Sequence, residues 1–117
     1  MAPPGQRDYG GITISRHALE RFAERFDVEP ERAEEALRGA LRRTRRMGRN
    51  AANDAVAVVA LHQDRVVVAI IQESTCLTVL TWNQFKPKLA EFGRPKLPRK
   101  WGRTLRRLVD PPPEEPS

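Results

Sequence analysis

Two side chains that could do chemistry together lie one helical turn apart near the start of the sequence. His17 and Arg21 fall within the segment ISRHALERFAERF, whose apolar residues have the spacing of an amphipathic helix. A histidine can move a proton near neutral pH, and an arginine beside it can stabilise negative charge on a phosphorane. Metal-independent RNA cleavage requires these two roles, so the pair is a candidate catalytic site. In the alternative interpretation both are surface residues, and Arg21 pairs with Glu24 or Glu20.

Basic residues are concentrated in two parts of the chain. The 117 residues carry a net charge of +6, and 17 of the 21 basic side chains are arginine. Residues 36–53 contain six arginines and no acid, and residues 86–107 contain nine basic residues and one acid. Such blocks are typical of proteins that neutralise phosphates, and arginine suits bidentate phosphate contacts. In the alternative they are solvated faces or a flexible tail.

We predict that these blocks contact nucleic acid, with RNA favoured over DNA as the ligand, or a nucleic-acid machine such as a ribosome or a polymerase. A tryptophan in the second block could stack on bases or anchor the chain. The predicted nucleic-acid-binding residues are Arg42, Arg43, Arg45, Arg46, Arg49, Arg65, Lys86, Lys88, Arg94, Lys96, Arg99, Lys100, Trp101 and Arg103.

Other kinds of site have no support in the sequence. It contains no glycine-rich phosphate loop, no HExxH motif and no Cys/His cluster with the spacing of metal ligands. Cys76 is the single cysteine, which excludes an internal disulfide framework and favours an ordinary buried thiol. We therefore predict no metal and no cofactor. Neither a run of about 18 apolar residues nor a secretory signal is visible, so we expect a cytoplasmic setting and no membrane contact.

Two helices are expected to position His17 and Arg21. The first, from about Arg16 to Phe26, is capped by Ser15, and the second begins at Pro30. The apolar stripe of the second helix continues as Ala33, Ala36, Leu37, Ala40, Leu41, Thr44 and Met47. Gly48 is its predicted end.

Three apolar, β-rich segments follow, at Ala55–Leu61, Arg65–Ile71 and Cys76–Trp82, with short connections that predict an antiparallel meander. The predicted class is α+β, with two N-terminal helices packed on a three- to four-stranded antiparallel meander over residues 12–85. We expect residues 1–11 to be irregular and residues 86–109 to form an extended basic arm, with a short helix near its end. The acidic residues 110–117 are expected to be disordered.

The segment around His17 also resembles a known group of proteins. ISRHALERFAERF, PERAEEALRGAL and CLTVLTW look like a small family of bacterial and phage domains with a His-Ala-x-x-Arg helix and a β-meander. That family is similar to RelE-like toxins of the barnase, EndoU, colicin and RelE ribonuclease group. The resemblance covers roughly residues 12–82 and implies RNA cleavage by 2′-hydroxyl attack, with an antitoxin as a protein partner. It implies the catalytic residues His17, Arg21 and Thr78 (or Thr81), with His62 and Arg65 as further candidates.

A second interpretation competes with this ribonuclease. The long Pro/Arg/Lys extension departs from the pattern of the family. The chain would then be a non-catalytic phage or bacterial factor that docks on nucleic acid, a ribosome or RNA polymerase through its basic arm.

Overall fold

A six-stranded mixed sheet forms the centre of the computed structural model, which describes residues 6–92. The order of its strands is β1-β3-β4-β5-β6-β2. Strand β2 pairs with β6 in parallel, and the other pairings among these strands are antiparallel. The strands are β1 (Gln6–Arg7), β2 (Thr13–Ile14), β3 (Thr44–Arg49), β4 (Val56–His62), β5 (Arg65–Gln72) and β6 (Thr75–Thr81). Helices α1 (Arg16–Arg25), α2 (Pro30–Leu41) and α3 (Trp82–Phe85) and a 3₁₀ helix (Lys86–Phe92) complete the α+β fold and confirm the predicted class.

Two tight turns build the central meander. Gln63 and Asp64 join β4 to β5 with φ angles of 49° and 64°, and Glu73 and Ser74 join β5 to β6 with 50° and 62°. Positive φ at both central residues is the geometry of a type I′ turn, whose twist matches that of paired strands. Strand β5 is buried on both faces between β4 and β6, as its unbroken apolar run predicts.

Helices α1 and α2 cover one face of the sheet. Their buried residues Phe22, Leu37 and Leu41 pack in one core with Val58 and Val67 of the sheet. The Ser15 side chain caps α1 by accepting from the amide of Ala18 at 3.0 Å.

The same helix is attached to β6 by polar contacts at both of its ends. The Ser15 hydroxyl donates to the Leu77 carbonyl at 3.1 Å, and Arg25 donates to the Val79 carbonyl at 2.7 Å. These contacts hold α1 over β6, so the exposed side of this helix has a defined position relative to the sheet.

The second helix is shorter than predicted. It ends at Leu41, and Thr44–Arg49 is strand β3. Thr44 and Met47 are both buried at a spacing of three, which mimics a helical stripe because the two side chains lie on opposite faces of a sheet that is covered on both sides. A strand covered on one face alone would have buried alternate residues, which is the pattern that distinguishes a strand in a sequence.

The opposite face of the sheet is covered by the segment after β6. Phe85 and Phe92 are buried beside Met47, Val59 and Val68, with ring centroids of the two phenylalanines 5.3 Å apart. The prediction of an extended arm from residue 86 is therefore wrong for residues 86–92. Three apolar side chains at 85, 89 and 92 drive this packing, since their spacing of three to four places them on one side of a helical segment.

The N-terminal prediction is also partly wrong. Gln6 and Arg7 are not irregular but pair with Arg45 and Thr44 of β3. The predicted short helix at 101–109 and the acidic end at 110–117 lie outside the described residues.

Candidate nucleic-acid interface

His17 and Arg21 both lie on the exposed side of α1, as predicted, but Arg21 is paired. Its Nη1 atom lies 3.1 Å from Oε1 of Glu24, three residues further along the helix. This ion pair agrees with the alternative interpretation of the sequence, in which Arg21 pairs with Glu24 or Glu20. His17 lies in the first turn of α1 and is exposed.

Thr78 does not join these two residues. In the register of β5 and β6 it lies directly opposite Ile70, and Ile70 packs in the core on the face away from α1. Directly opposite residues of paired strands share a face. The predicted catalytic set of His17, Arg21 and Thr78 is therefore divided between two faces of the sheet. A β-bulge in the pairing beside Ile70 and Ile71 sets this outcome. It places one extra residue in β6, so Thr78 faces the opposite side of the sheet from Cys76.

The second histidine lies at the other end of α1. The His62 ring packs edge-on against Phe22, with centroids 5.2 Å apart, and its Nε2 atom is buried with no hydrogen-bond partner within residues 6–92. Burial and the neighbouring Arg65 guanidinium both lower the pKa of His62, because each disfavours the charged imidazolium. His62 is thus held neutral against an apolar ring, which is the environment of a structural histidine.

Arg65, a predicted phosphate contact, is held by contacts with the end of α1 and the turn that follows it. Its Nη2 donates to the Arg25 carbonyl at the end of α1 at 2.9 Å, and its Nη1 lies 3.5 Å from a carboxylate oxygen of Asp27. The guanidinium carbon also lies 4.7 Å from the centre of the Phe26 ring, which is a cation–π distance. A phosphate would have to replace these contacts, so the structure gives Arg65 a role in closing the end of α1.

The single cysteine has the environment predicted for it. Cys76 is buried, and burial raises the pKa of its thiol to about 12. Its sulfur lies 3.6 Å from the Thr78 carbonyl. A thiol in this state is protonated at neutral pH and is not a nucleophile.

A different group of arginines is available to a ligand. Arg42 and Arg43 follow the last residue of α2, and Arg46 and Arg49 lie on β3; all four are exposed, and we call them the basic corner. Arg49 forms an exposed ion pair with Asp54 at 2.9 Å. Within residues 6–92 the other three make no side-chain hydrogen bond or ion pair. Arg46 lies opposite Val58, on the face of the sheet where α2 ends.

Gly48 brings the two basic blocks together. Its missing side chain leaves room for the backbone of Phe92, since a Cβ there would overlap the Phe92 carbonyl oxygen. Phe92, which belongs to the second basic block, therefore lies beside the strand that carries Arg46 and Arg49 of the first block. Gly48 was predicted to be a helix end, and this role was missed, although a glycine within a short β-like run is a known sign of a bulge or of close backbone approach.

The remaining predicted contacts divide into three groups. Lys86 and Lys88 are exposed on the 3₁₀ helix, and Arg45 is half-buried on the same face as Val59. The others lie outside the described residues: Arg94, Lys96, Arg99, Lys100, Trp101 and Arg103.

The outer edge of β3 is open beyond the two residues that pair with β1. Strand β1 pairs with Thr44 and Arg45 of β3, and residues 46–49 have no further partner strand within residues 6–92. Arg46 and Gly48 therefore lie at a border of the described sheet, with the guanidinium on one face and Phe92 on the other.

Comparison with known proteins gives no relative of this chain. No protein-family model, curated protein or solved structure matches the chain. The relationship to RelE-like toxins therefore stays a prediction from short motifs. Within residues 6–92 no three His, Cys, Asp or Glu side chains form a group that could hold a metal ion, and no helix there has the length and apolar character needed to cross a membrane.

Proposed function

We propose that this chain binds nucleic acid along the border of the sheet at β3. The observation that supports the proposal most directly is the contact between Gly48 and Phe92, which joins two basic blocks that are more than thirty residues apart in the sequence. The basic corner supplies guanidinium groups from one side of this border. Phe92, a residue of the second block, lies on the other face of the sheet at this border.

The chemistry of this surface suits phosphates rather than base edges. Arg46 and Arg49 lie three residues apart on β3, which on an extended strand is about 10 Å. Arginine forks at such spacing can each contact a different phosphate, and each contact releases counterions. The preference for RNA over DNA, the ribosome or polymerase as the setting, an antitoxin as partner and a cytoplasmic location rest on the sequence and its resemblance alone, and all remain part of the proposal.

The test removes charge from the basic corner without touching the core. In an Arg42→Ala/Arg43→Ala/Arg46→Ala variant, the slope of log affinity against log salt should fall by about 2 to 3 units, since each lost phosphate contact contributes slightly less than one. Binding of a labelled RNA hairpin and of a DNA duplex of equal length would be measured by fluorescence anisotropy at several salt concentrations.

A control variant removes exposed arginines elsewhere. Arg16 and Arg32 lie on the two helices, and replacing both with alanine should leave the slope within about 1 unit of the parent chain, whereas the matched pair Arg42→Ala/Arg46→Ala should lower it by about 2 units. Equal losses in both variants would show that net charge alone drives binding and would overturn the proposed surface. A further variant, Lys96→Ala/Arg99→Ala/Lys100→Ala in the full chain, tests whether the second block contributes to the same slope.

RNA cleavage is a second candidate, favoured by the exposure of His17 one turn from Arg21. In this interpretation His17 moves the proton and Arg21 exchanges Glu24 for a phosphate. The parent chain should then cut a mixed RNA substrate, with or without ribosomes, and His17→Ala should abolish cleavage without changing the circular dichroism spectrum. If the parent chain leaves every RNA intact under both conditions, the ribonuclease is excluded and binding alone remains.

A further inference from the structure

Two surface crevices meet at the turn between α1 and α2. One, of about 480 Å³, lies between the two helices, and the other, of about 390 Å³, lies between this turn, α2 and the β4–β5 hairpin. Val28 lines both. We call this region, from Leu19 to Ala36, the acidic corner.

The floor of the first crevice is apolar and lined mainly by small side chains. Ala23 of α1 and Ala33 of α2 line it together with Leu19, Val28 and Pro30. Alanine on both helices leaves a furrow between them that larger residues would have filled. Leu19, Ala23 and Val28 are only partly buried in the chain, so each retains apolar surface that a partner could cover.

The rim of both crevices is acidic. Five carboxylates line the two crevices, two of them in the first beside Arg16 and three in the second beside Arg32. Three of the five make no ion pair within residues 6–92, and the other two pair with Arg21 and Arg65 at the surface. The five are Glu20, Glu24, Asp27, Glu29 and Glu35.

The acidic corner and the basic corner lie at opposite ends of α2. The helix has twelve residues and is therefore about 18 Å long. Glu29 and Glu31 lie at its start, and Arg42 and Arg43 follow its end, which is the distribution that the helix dipole favours. Phosphates would be repelled from the acidic corner, so a nucleic acid held at the basic corner leaves this surface free for another ligand.

The backbone around the crevices restricts the form of a partner. The first crevice lies between two helices whose main-chain groups are bonded internally, so an extended peptide would find no strand edge to extend. A helix satisfies its own main-chain groups and can bind by side-chain packing alone. We propose that the acidic corner docks a basic amphipathic helix of a partner protein, with apolar side chains on the floor and Lys or Arg against the carboxylate rim.

A synthetic helix of this chemistry tests the proposal. The probe is a fluorescein-labelled 15-residue peptide of leucine and lysine, with leucine at positions i, i+3, i+4 and i+7. A scrambled peptide of the same composition keeps the charge and loses the apolar face. The full chain should bind the patterned peptide at least about tenfold more tightly than the scrambled one, because only the patterned peptide can bury leucines on the floor.

Charge reversal locates the binding surface. In Glu20→Lys/Glu35→Lys, both sites are exposed on helices, and affinity for the patterned peptide should fall by roughly fivefold or more, as expected for two exposed charge pairs. The matched control is Glu73→Lys/Glu91→Lys, which makes the same change on the β5–β6 turn and the 3₁₀ helix and should bind within about twofold of the parent chain.

Three outcomes would overturn the proposal. Equal binding of both peptides would mean that charge alone attracts them, and equal loss in both charge-reversal variants would place the contact elsewhere. If sedimentation shows that the parent chain self-associates and Glu20→Lys/Glu35→Lys does not, the occupant is a second copy of this chain. None of these results depends on nucleic-acid binding, since the RNA and DNA assays use a different surface.

Discussion

Arg65 and Arg46 both lie on strands of the same sheet and both are exposed to solvent, but their surroundings differ. Arg65 donates to a helix-terminal carbonyl, pairs with Asp27 and lies over the Phe26 ring. Arg46 has no such contact within residues 6–92 and lies beside the end of α2. A basic residue is therefore available to a phosphate only where the fold offers its guanidinium no carbonyl, carboxylate or ring.

Removing each guanidinium in turn tests whether Arg65 and Arg46 differ in what they contribute to stability. Arg65→Ala should lower the free energy of unfolding by about 2 kcal/mol, from a charged hydrogen bond and a cation–π contact. Arg46→Ala should change it by less than about 0.5 kcal/mol. Urea denaturation measures both. A stability loss for Arg65→Ala no larger than that for Arg46→Ala would contradict the distinction.

Glycines offer a second contrast between the border of the sheet and the helices. Gly48→Ala should destabilise the fold by about 1–2 kcal/mol, because the new methyl group would overlap the Phe92 backbone. Gly39→Ala meets open space on α2 and should stabilise the fold by about 0.5–1 kcal/mol, since alanine restricts the unfolded chain and favours helix. Thermal unfolding of both variants is the measurement. Stabilisation by Gly48→Ala would show that Phe92 does not pack there.

The Arg65 end of the molecule should also respond to pH through His62. The pKa of His62 is lowered in the fold, so the unfolded chain binds its proton more readily as pH falls below about 6.5. Stability is then greatest above this pH and decreases below it, despite the carboxylates of Asp27, Glu29 and Glu35 in the same crevice. His62→Phe should keep the ring contact with Phe22 and flatten the dependence between pH 7 and pH 5 in chemical denaturation. An unchanged slope in this variant would mean that other groups cause the dependence.

The smallest effect is expected at the exposed pair on α1. Arg21→Ala removes an i, i+3 ion pair and should cost about 0.3 kcal/mol or less. Because the pair lies at the surface, 0.5 M NaCl should remove most of this difference in the melting temperature. A larger loss that persists at high salt would indicate that Arg21 has a structural role like that of Arg65.

Local patterns in the sequence predicted much of the fold. Ser15 and Pro30 mark the starts of α1 and α2 correctly, and the three apolar runs correspond to β4, β5 and β6. The end of α2 was beyond such patterns, because β3 is covered on both faces and therefore buries Thr44 and Met47 at helical spacing. The packing of residues 85–92 was missed for a related reason, since prolines and lysines around Phe85 and Phe92 indicated extended chain.

The candidate site was harder to predict from the sequence than the fold was. His17 and Arg21 are neighbours on α1 whatever the rest of the chain does, because one helical turn separates them. Thr78 depends on the register and bulge of β6, and a shift of one residue moves a side chain to the other face.

The sequence by itself determined the α+β class, the capped first helix, the tight turns and the two basic blocks, because these depend on residues close together in the chain. Tertiary structure alone decided that Thr78 faces away from α1, that Arg65 closes a helix end and that Phe92 lies against Gly48. The physical reason is that sheet register and backbone approach bring distant residues together, and local periodicity carries no information about which carbonyl, ring or backbone a side chain will meet.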